Sequence, residues 1–246
     1  MRTLTACAMA LGVTAQAAAA VTCNETIYLD EPYVICEVDA SRQKLSLFLE
    51  DDTGRIFGQF SSIDAALAED GAQLAFAMNA GMYHDDRSPV GHYVQDGVEK
   101  HRVISSAGPG NFGLLPNGVF CIQDGRADVI ETLAFVERAP ECRHASQSGP
   151  MLVIDGALHP RFLEDGTSKF IRNGVGTSSD GQTVYFVISQ KPVNFYTFAG
   201  VFRDYLNLEN ALYFDGKVSR LYAPELGRRD FGFALGPIVG VVEPKP

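Results

Sequence analysis

The sequence predicts an α+β domain in which one mixed, hairpin-rich β-sheet is flanked by helices. Three observations carry this reading. Short runs of branched and aromatic residues dominate, each bounded by Gly, Pro or Asp. Seven Asp-Gly pairs punctuate the 246 residues, and that dipeptide is the strongest short-range hairpin signal. Two helical patterns interrupt the strands without regular βαβ alternation, and no internal repeat is present.

At the N-terminus, residues 1–20 carry one basic side chain, Arg2, a short apolar stretch and a tail ending Ala18-Ala19-Ala20. They read as a secretory signal peptide cleaved near Ala20, which leaves residues 21–246 as a single exported domain, periplasmic or secreted. No later stretch is long and apolar enough to cross a bilayer.

Strands are expected at YVICEV (33–38), KLSLFLE (44–50), QLAFAMN (73–79), GVFCIQ (118–123), PMLVID (150–155), TVYFVIS (183–189) and ALYFD (211–215). Asp96-Gly97, Asp124-Gly125 and Asp155-Gly156 lie between such runs and fit hairpin turns. A helix is expected over SSIDAALAEDG, with Ser61 and Asp64 as a capping box and Gly71 as the stop. A second runs through FYTFAGVFRDYLNL. There Phe198, Val201, Phe202, Tyr205 and Leu206 follow the spacing of one buried face, which marks them as core.

Charge narrows the partners. The chain has 20 basic and 30 acidic residues, a net charge of −10. An acidic surface repels phosphate backbones, so no nucleic acid partner is expected, whereas an anionic substrate in a locally basic pocket is compatible. Cys7 belongs to the leader. The remaining Cys23, Cys36, Cys121 and Cys142 are even in number in an exported chain, which points to disulfides. Cys23–Cys36 and Cys121–Cys142 are the favoured pairs, because each flanks a hairpin or a short excursion. No Cys-x-x-Cys spacing is present, and neither a metal nor a cofactor is expected.

Most of the Asp-Gly pairs read as turns, but Asp215-Gly216 differs. It ends a strand that is apolar at four successive positions, which implies burial on both faces. Ligands favour the carboxyl ends of such strands. Four other glycine-containing polar stretches interrupt apolar runs: NAGMYHDD (79–86), GNF (110–112), QSGPM (147–151) and FIRNGVG (170–176). Glycine allows close backbone approach, a property that ligand clamps and turns share. The common catalytic signatures are absent: Ser148 lies outside a Gly-x-Ser-x-Gly elbow, and there is no His-Glu-x-x-His or phosphate-binding Gly-x-x-x-x-Gly-Lys loop.

Taken together, NAGMY, GNFGLLPNGVF, QSGPMLVIDG, IRNGVG and NALYFDGKVS, in that order, resemble the phosphodiester glycosidase family. The resemblance runs from about Leu74 to Leu221 and is closest to short secreted bacterial members. Lys217 stands where reference members carry a second glycine, a departure that bears on sugar specificity rather than fold. The resemblance implies cleavage of the C1–O bond of a sugar-1-phosphodiester, with a phosphate monoester leaving; the expected partner is a carbohydrate phosphodiester or envelope glycan. Asp215 is the expected nucleophile or base, with Asp85 or Asp86 as a second carboxylate. Arg172 is expected to clamp the phosphate through its planar fork. Asn79, Tyr83, Asn111 and Ser148 would hold sugar hydroxyls or phosphate oxygens. Gly81, Gly149, Asn173, Gly216 and Ser219 complete the expected substrate-binding set. Two alternatives stand beside this: a non-catalytic envelope protein that binds glycan or protein in the same cleft, and a phosphodiesterase that cleaves P–O.

Overall fold

The computed structural model describes residues 21–245, so the leader expected over residues 1–20 lies outside them. Seventeen strands form three sheets among the described residues. The largest runs, in spatial order, through Thr22–Tyr28, Glu31–Asp39, Thr183–Ser189, Asn173–Thr177, Asn210–Asp215, Met151–Ile154 and Ala157–Leu158. The second runs through Arg228–Arg229, Leu221–Ala223, Ala72–Asn79, Ile238–Pro244 and Lys44–Phe48. The third is Val98–His101, Tyr93–Gln95, His144–Ser148, Gly118–Gln123 and Arg126–Glu131.

Every pairing is antiparallel. This corrects the expected single mixed sheet to three antiparallel sheets in a mostly β chain. The physical reason is connectivity. No crossover helix joins neighbouring strands, and without one a parallel neighbour has no short route back.

The three sheets share one core. Phe76 of the second sheet packs on Phe186 of the first with ring centroids 4.8 Å apart. Phe120 of the third reaches both Phe186, at 5.9 Å, and Phe214, at 6.2 Å. All four rings are fully buried. Burial of this kind contributes roughly 1.5–3 kcal/mol per side chain. The sheets are covered outside by helices α1 (Phe60–Glu69), α2 (Thr132–Arg138) and α3 (Phe195–Gly200).

The three Asp-Gly pairs read as hairpins turn their strands as expected, with Gly97, Gly125 and Gly156 at φ of 77°, 76° and 80°. Both expected disulfides are formed. Cys23 and Cys36 face each other across one hairpin, and Cys121–Cys142 ties the third sheet to the loop after α2.

Two local expectations are corrected. Helix α1 starts at Phe60 after Gln59, without a side-chain cap. Asp64 is drawn elsewhere: its carboxylate accepts from Leu74 N and from Tyr222 Oη, both at 2.7 Å. Longer-range partners thus outcompete the local cap. Beyond α3, the chain forms a π-helical turn over Val201–Tyr205. The wider turn shifts the angular position of its later residues, so Phe198, Val201 and Phe202 are buried while Tyr205 points outward, 51% exposed.

Candidate active site

The site is built where strand ends from the first and second sheets meet. Asn79 closes the strand Ala72–Asn79 and Asn173 opens the strand Asn173–Thr177. The Asn173 amide donates to Asn79 O and Oδ1, both at 3.0 Å, and the Asn79 amide donates to Asn173 Oδ1 at 3.2 Å. Asn79 Oδ1 also accepts from Arg220 N at 2.9 Å, and Asn173 Oδ1 accepts from Asp215 N at 3.2 Å. One buried amide pair therefore fixes the backbone on both sides of the Asp215 loop.

Two hydroxyls finish this frame. Ser148 Oγ donates to Phe214 O at 2.9 Å. Ser219 Oγ lies 2.8 Å from Ile171 O and 2.9 Å from Asp215 O, and its single proton serves one of them at a time. Gly81 and Gly149 are required by close packing. A Cβ on Gly81 would sit 2.8 Å from Ser146 Oγ, and one on Gly149 2.6 Å from Asn117 Cβ. Asn79 and Ser148 are fully buried and bonded to protein, which corrects the expectation that they hold substrate. They are positioning residues.

Asp215 ends the strand Asn210–Asp215, whose residues Ala211, Leu212, Tyr213 and Phe214 are all fully buried. Its Oδ1 accepts from Gly216 N at 2.6 Å and Lys217 N at 2.9 Å. Oδ2 has no hydrogen-bond partner and the carboxylate no ion-pair partner among the described residues. Burial raises its pKa above the ordinary carboxylate value, opposed by the two backbone N–H groups and by the Lys217 charge.

Asp215 lines a hollow of about 410 Å³, within the range of small-molecule sites. Tyr83, Asn111, Phe170, Tyr213 and Lys217 also line it. Asp215 is the one carboxylate and Lys217 the one cation among the described lining residues. Tyr83 Oη donates to Ala234 O at 3.3 Å, and its pKa is raised first by burial and then by the Asp215 charge. Tyr213 is absent from the sequence-based candidates because it reads as core. Its signal is its place two residues before Asp215, which puts both on one face of the strand.

Three expected roles are corrected by geometry. Arg172 is fully buried, and its fork is turned inward. Nε donates to Val193 O at 2.9 Å, Nη2 to Ser168 O at 2.9 Å and Nη1 to Tyr213 Oη at 3.2 Å, while its plane lies 3.6 Å from the Phe195 ring centroid. It braces Tyr213 and does not line the hollow. Asp85 and Asp86 are exposed and outside the hollow. Asp86 Oδ1 accepts from the Ser88 hydroxyl at 2.6 Å and from Ser88 N at 2.9 Å, contacts that hold its pKa below the ordinary carboxylate value. Its chemistry is that of a turn.

The site is thus a half-buried carboxylate with one free oxygen at a hollow lined by apolar side chains, Tyr83 and Asn111. The family model for phosphodiester glycosidases matches residues 72–231, and the chain belongs to that family. Among relatives, the uncharacterized protein YigE of Escherichia coli (strain K12) is 34% identical over 185 residues, 75% of this chain and 72% of that one. The fold is similar to the catalytic domain of zebrafish N-acetylglucosamine-1-phosphodiester alpha-N-acetylglucosaminidase, solved auto-inhibited by pro-peptide. That match has a TM-score of 0.62 and 15% identity, covering 90% of this chain and 81% of that domain. A hypothetical protein from Synechocystis aligns with a TM-score of 0.60 at 12% identity, over 90% of this chain and 61% of its own.

Proposed function

We propose that this chain is an exported hydrolase that cleaves the C1–O bond of a sugar-1-phosphodiester. The observation that carries the reading is the single carboxylate of the hollow. Glycosidases ordinarily pair two, one of them protonating the leaving oxygen. A phosphate monoester departs without that proton, so one carboxylate suffices where phosphate leaves. Asp215 Oδ2, free of internal partners, either takes a proton from the attacking water or attacks C1 itself. The C1–O bond breaks with its electron pair going to the phosphate oxygen, and water oxygen ends on C1. Tyr83 and Asn111 supply the phenol and amide groups for sugar hydroxyls, while Tyr213, fully buried and held by Arg172, backs the wall of the hollow. The cation for the phosphate is Lys217, exposed on the wall of the hollow, in the place expected of Arg172. Negative charge developing on the leaving oxygen is stabilised there without reorganisation of solvent.

Export is supported by the two disulfides, which persist in oxidising compartments. No helix among the described residues is long and apolar enough to cross a membrane. The test is turnover of an aryl sugar-1-phosphodiester in oxygen-18 water. Label in the released sugar is the expected result. Label in the phosphate would make the chain a phosphodiesterase, and no turnover across a panel of sugars would favour a binding protein.

A further inference from the structure

A second hollow, of about 580 Å³, shares the Gly216–Lys217 wall with the first. Its lining differs in kind. Phe231 and Phe233 stand 91% and 84% exposed, and Ile171 and Val218 add apolar surface. Lys217 and Arg229 are exposed cations in no ion pair among the described residues. Arg220 and Asp230 also line it, Arg220 bonded to Gln59 Oε1 and Phe233 O and Asp230 paired with Arg228, while Asn and Tyr are missing from this lining. Its hydroxyl, Ser219, is engaged with backbone carbonyls. Two Phe rings this exposed on one hollow are costly to leave in water and gain on contact with an apolar partner.

We propose that this second hollow is the leaving-group subsite and that it takes a phosphate ester with an apolar, alkyl-type aglycone. The proposal rests on the C1–O cleavage reading of the first hollow. It assigns the sugar to the side of Asp215, Tyr83 and Asn111, the phosphate to the ridge at Lys217, and the apolar chain to Phe231 and Phe233. A glycan aglycone fits poorly, because Ser219, Arg220 and Asp230 are already engaged within the protein and the remaining polar side chains, Lys217 and Arg229, are cations suited to phosphate. The apolar chain, by contrast, removes exposed aromatic surface from water while its phosphate meets unpaired positive charge.

The test is calorimetric binding of two phosphate monoesters, methyl phosphate and monomeric octyl phosphate, which requires no turnover. Octyl phosphate is expected to bind at least about tenfold more tightly, the gain of burying several methylenes. The Phe231→Ala/Phe233→Ala variant should erase that preference with its melting temperature unchanged, since both rings are exposed. Lys217→Ala should weaken both ligands alike. Equal binding of the two esters, a preference that survives in the double variant, or no binding of either would each overturn the proposal. Octyl preference without hydrolysis of any sugar-1-phosphodiester would defeat the catalytic reading and leave an alkyl phosphate binding site with no leaving-group role. Hydrolysis without octyl preference would defeat the subsite and leave the catalytic reading standing.

Discussion

Arg172→Lys separates a buried strut from a substrate clamp. The guanidinium satisfies three acceptors at once, Val193 O, Ser168 O and Tyr213 Oη, in full burial. A lysine ammonium is a single point that reaches one of them. Two charge-assisted bonds at about 1.5–3 kcal/mol each are lost, and entering water or relaxation returns part, leaving a net loss of about 2–4 kcal/mol. For a domain of this size each kcal/mol moves the midpoint by about 2–4 °C, so Tm should fall by roughly 4–16 °C. Turnover should fall too, since Tyr213 loses its anchor. Thermal unfolding followed by circular dichroism, beside kcat and KM on a sugar-1-phosphodiester, reads both effects. A Tm shift below about 1 °C with KM raised and kcat intact would refute the reasoning. Arg172 would then be a direct phosphate ligand.

Two further perturbations test separate parts. A Cβ at Gly216 would lie 2.1 Å from Tyr213 Oη, so Gly216→Ala must displace the phenol or the Asp215 turn. A roughly 10–100-fold loss of kcat/KM is expected, and wild-type kinetics would show that the wall of the hollow yields freely. Burial first, and the Arg143 charge second, push His144 down from 6.5 to about 4. The unfolded chain therefore binds this proton more readily, and the stability held by neutral His144 is lost as pH falls from about 6.5 toward 4. Melting curves across that window should steepen less with pH in His144→Gln than in the wild type; equal slopes would remove His144 as the cause.

Local chemistry is readable from the sequence, and long-range pairing is not. The strands at 33–38, 118–123 and 183–189 announce themselves by branched and aromatic runs, and their Asp-Gly turns by composition. The arrangement into three antiparallel sheets depends on which distant strands meet, as when Ala72–Asn79 pairs with Ile238–Pro244, and short apolar runs do not encode that choice. The π-turn after α3 escapes a pattern read at a fixed helical period, which places Tyr205 on a face that it leaves. Within the site, Asp215 stands out because a polar residue ends a strand buried on both faces. Asp85 and Asp86 look equivalent to it by type, but turn chemistry claims Asp86 and neither lines the hollow. Asn79, Ser148 and Arg172 are conspicuous in the sequence as polar residues in unusual places. Whether such a residue faces substrate or braces its neighbours depends on orientation, which residue type does not reveal.

The most direct test of the central claim is kcat/KM of Asp215→Asn on one sugar-1-phosphodiester, measured beside its Tm. Asn keeps the shape, and its Oδ1 can still accept from the Gly216 and Lys217 amides, so the fold should notice little. The control is Asp124→Asn, a hairpin residue whose side chain is 95% exposed and 3.4 Å from Arg143 Nε. Asp215→Asn should lose about 10²–10⁴-fold in kcat/KM with Tm nearly unchanged, while Asp124→Asn is silent in both. Turnover near the wild-type rate in Asp215→Asn would contradict the central claim, and would return Asp215-Gly216 to the company of the other Asp-Gly turns.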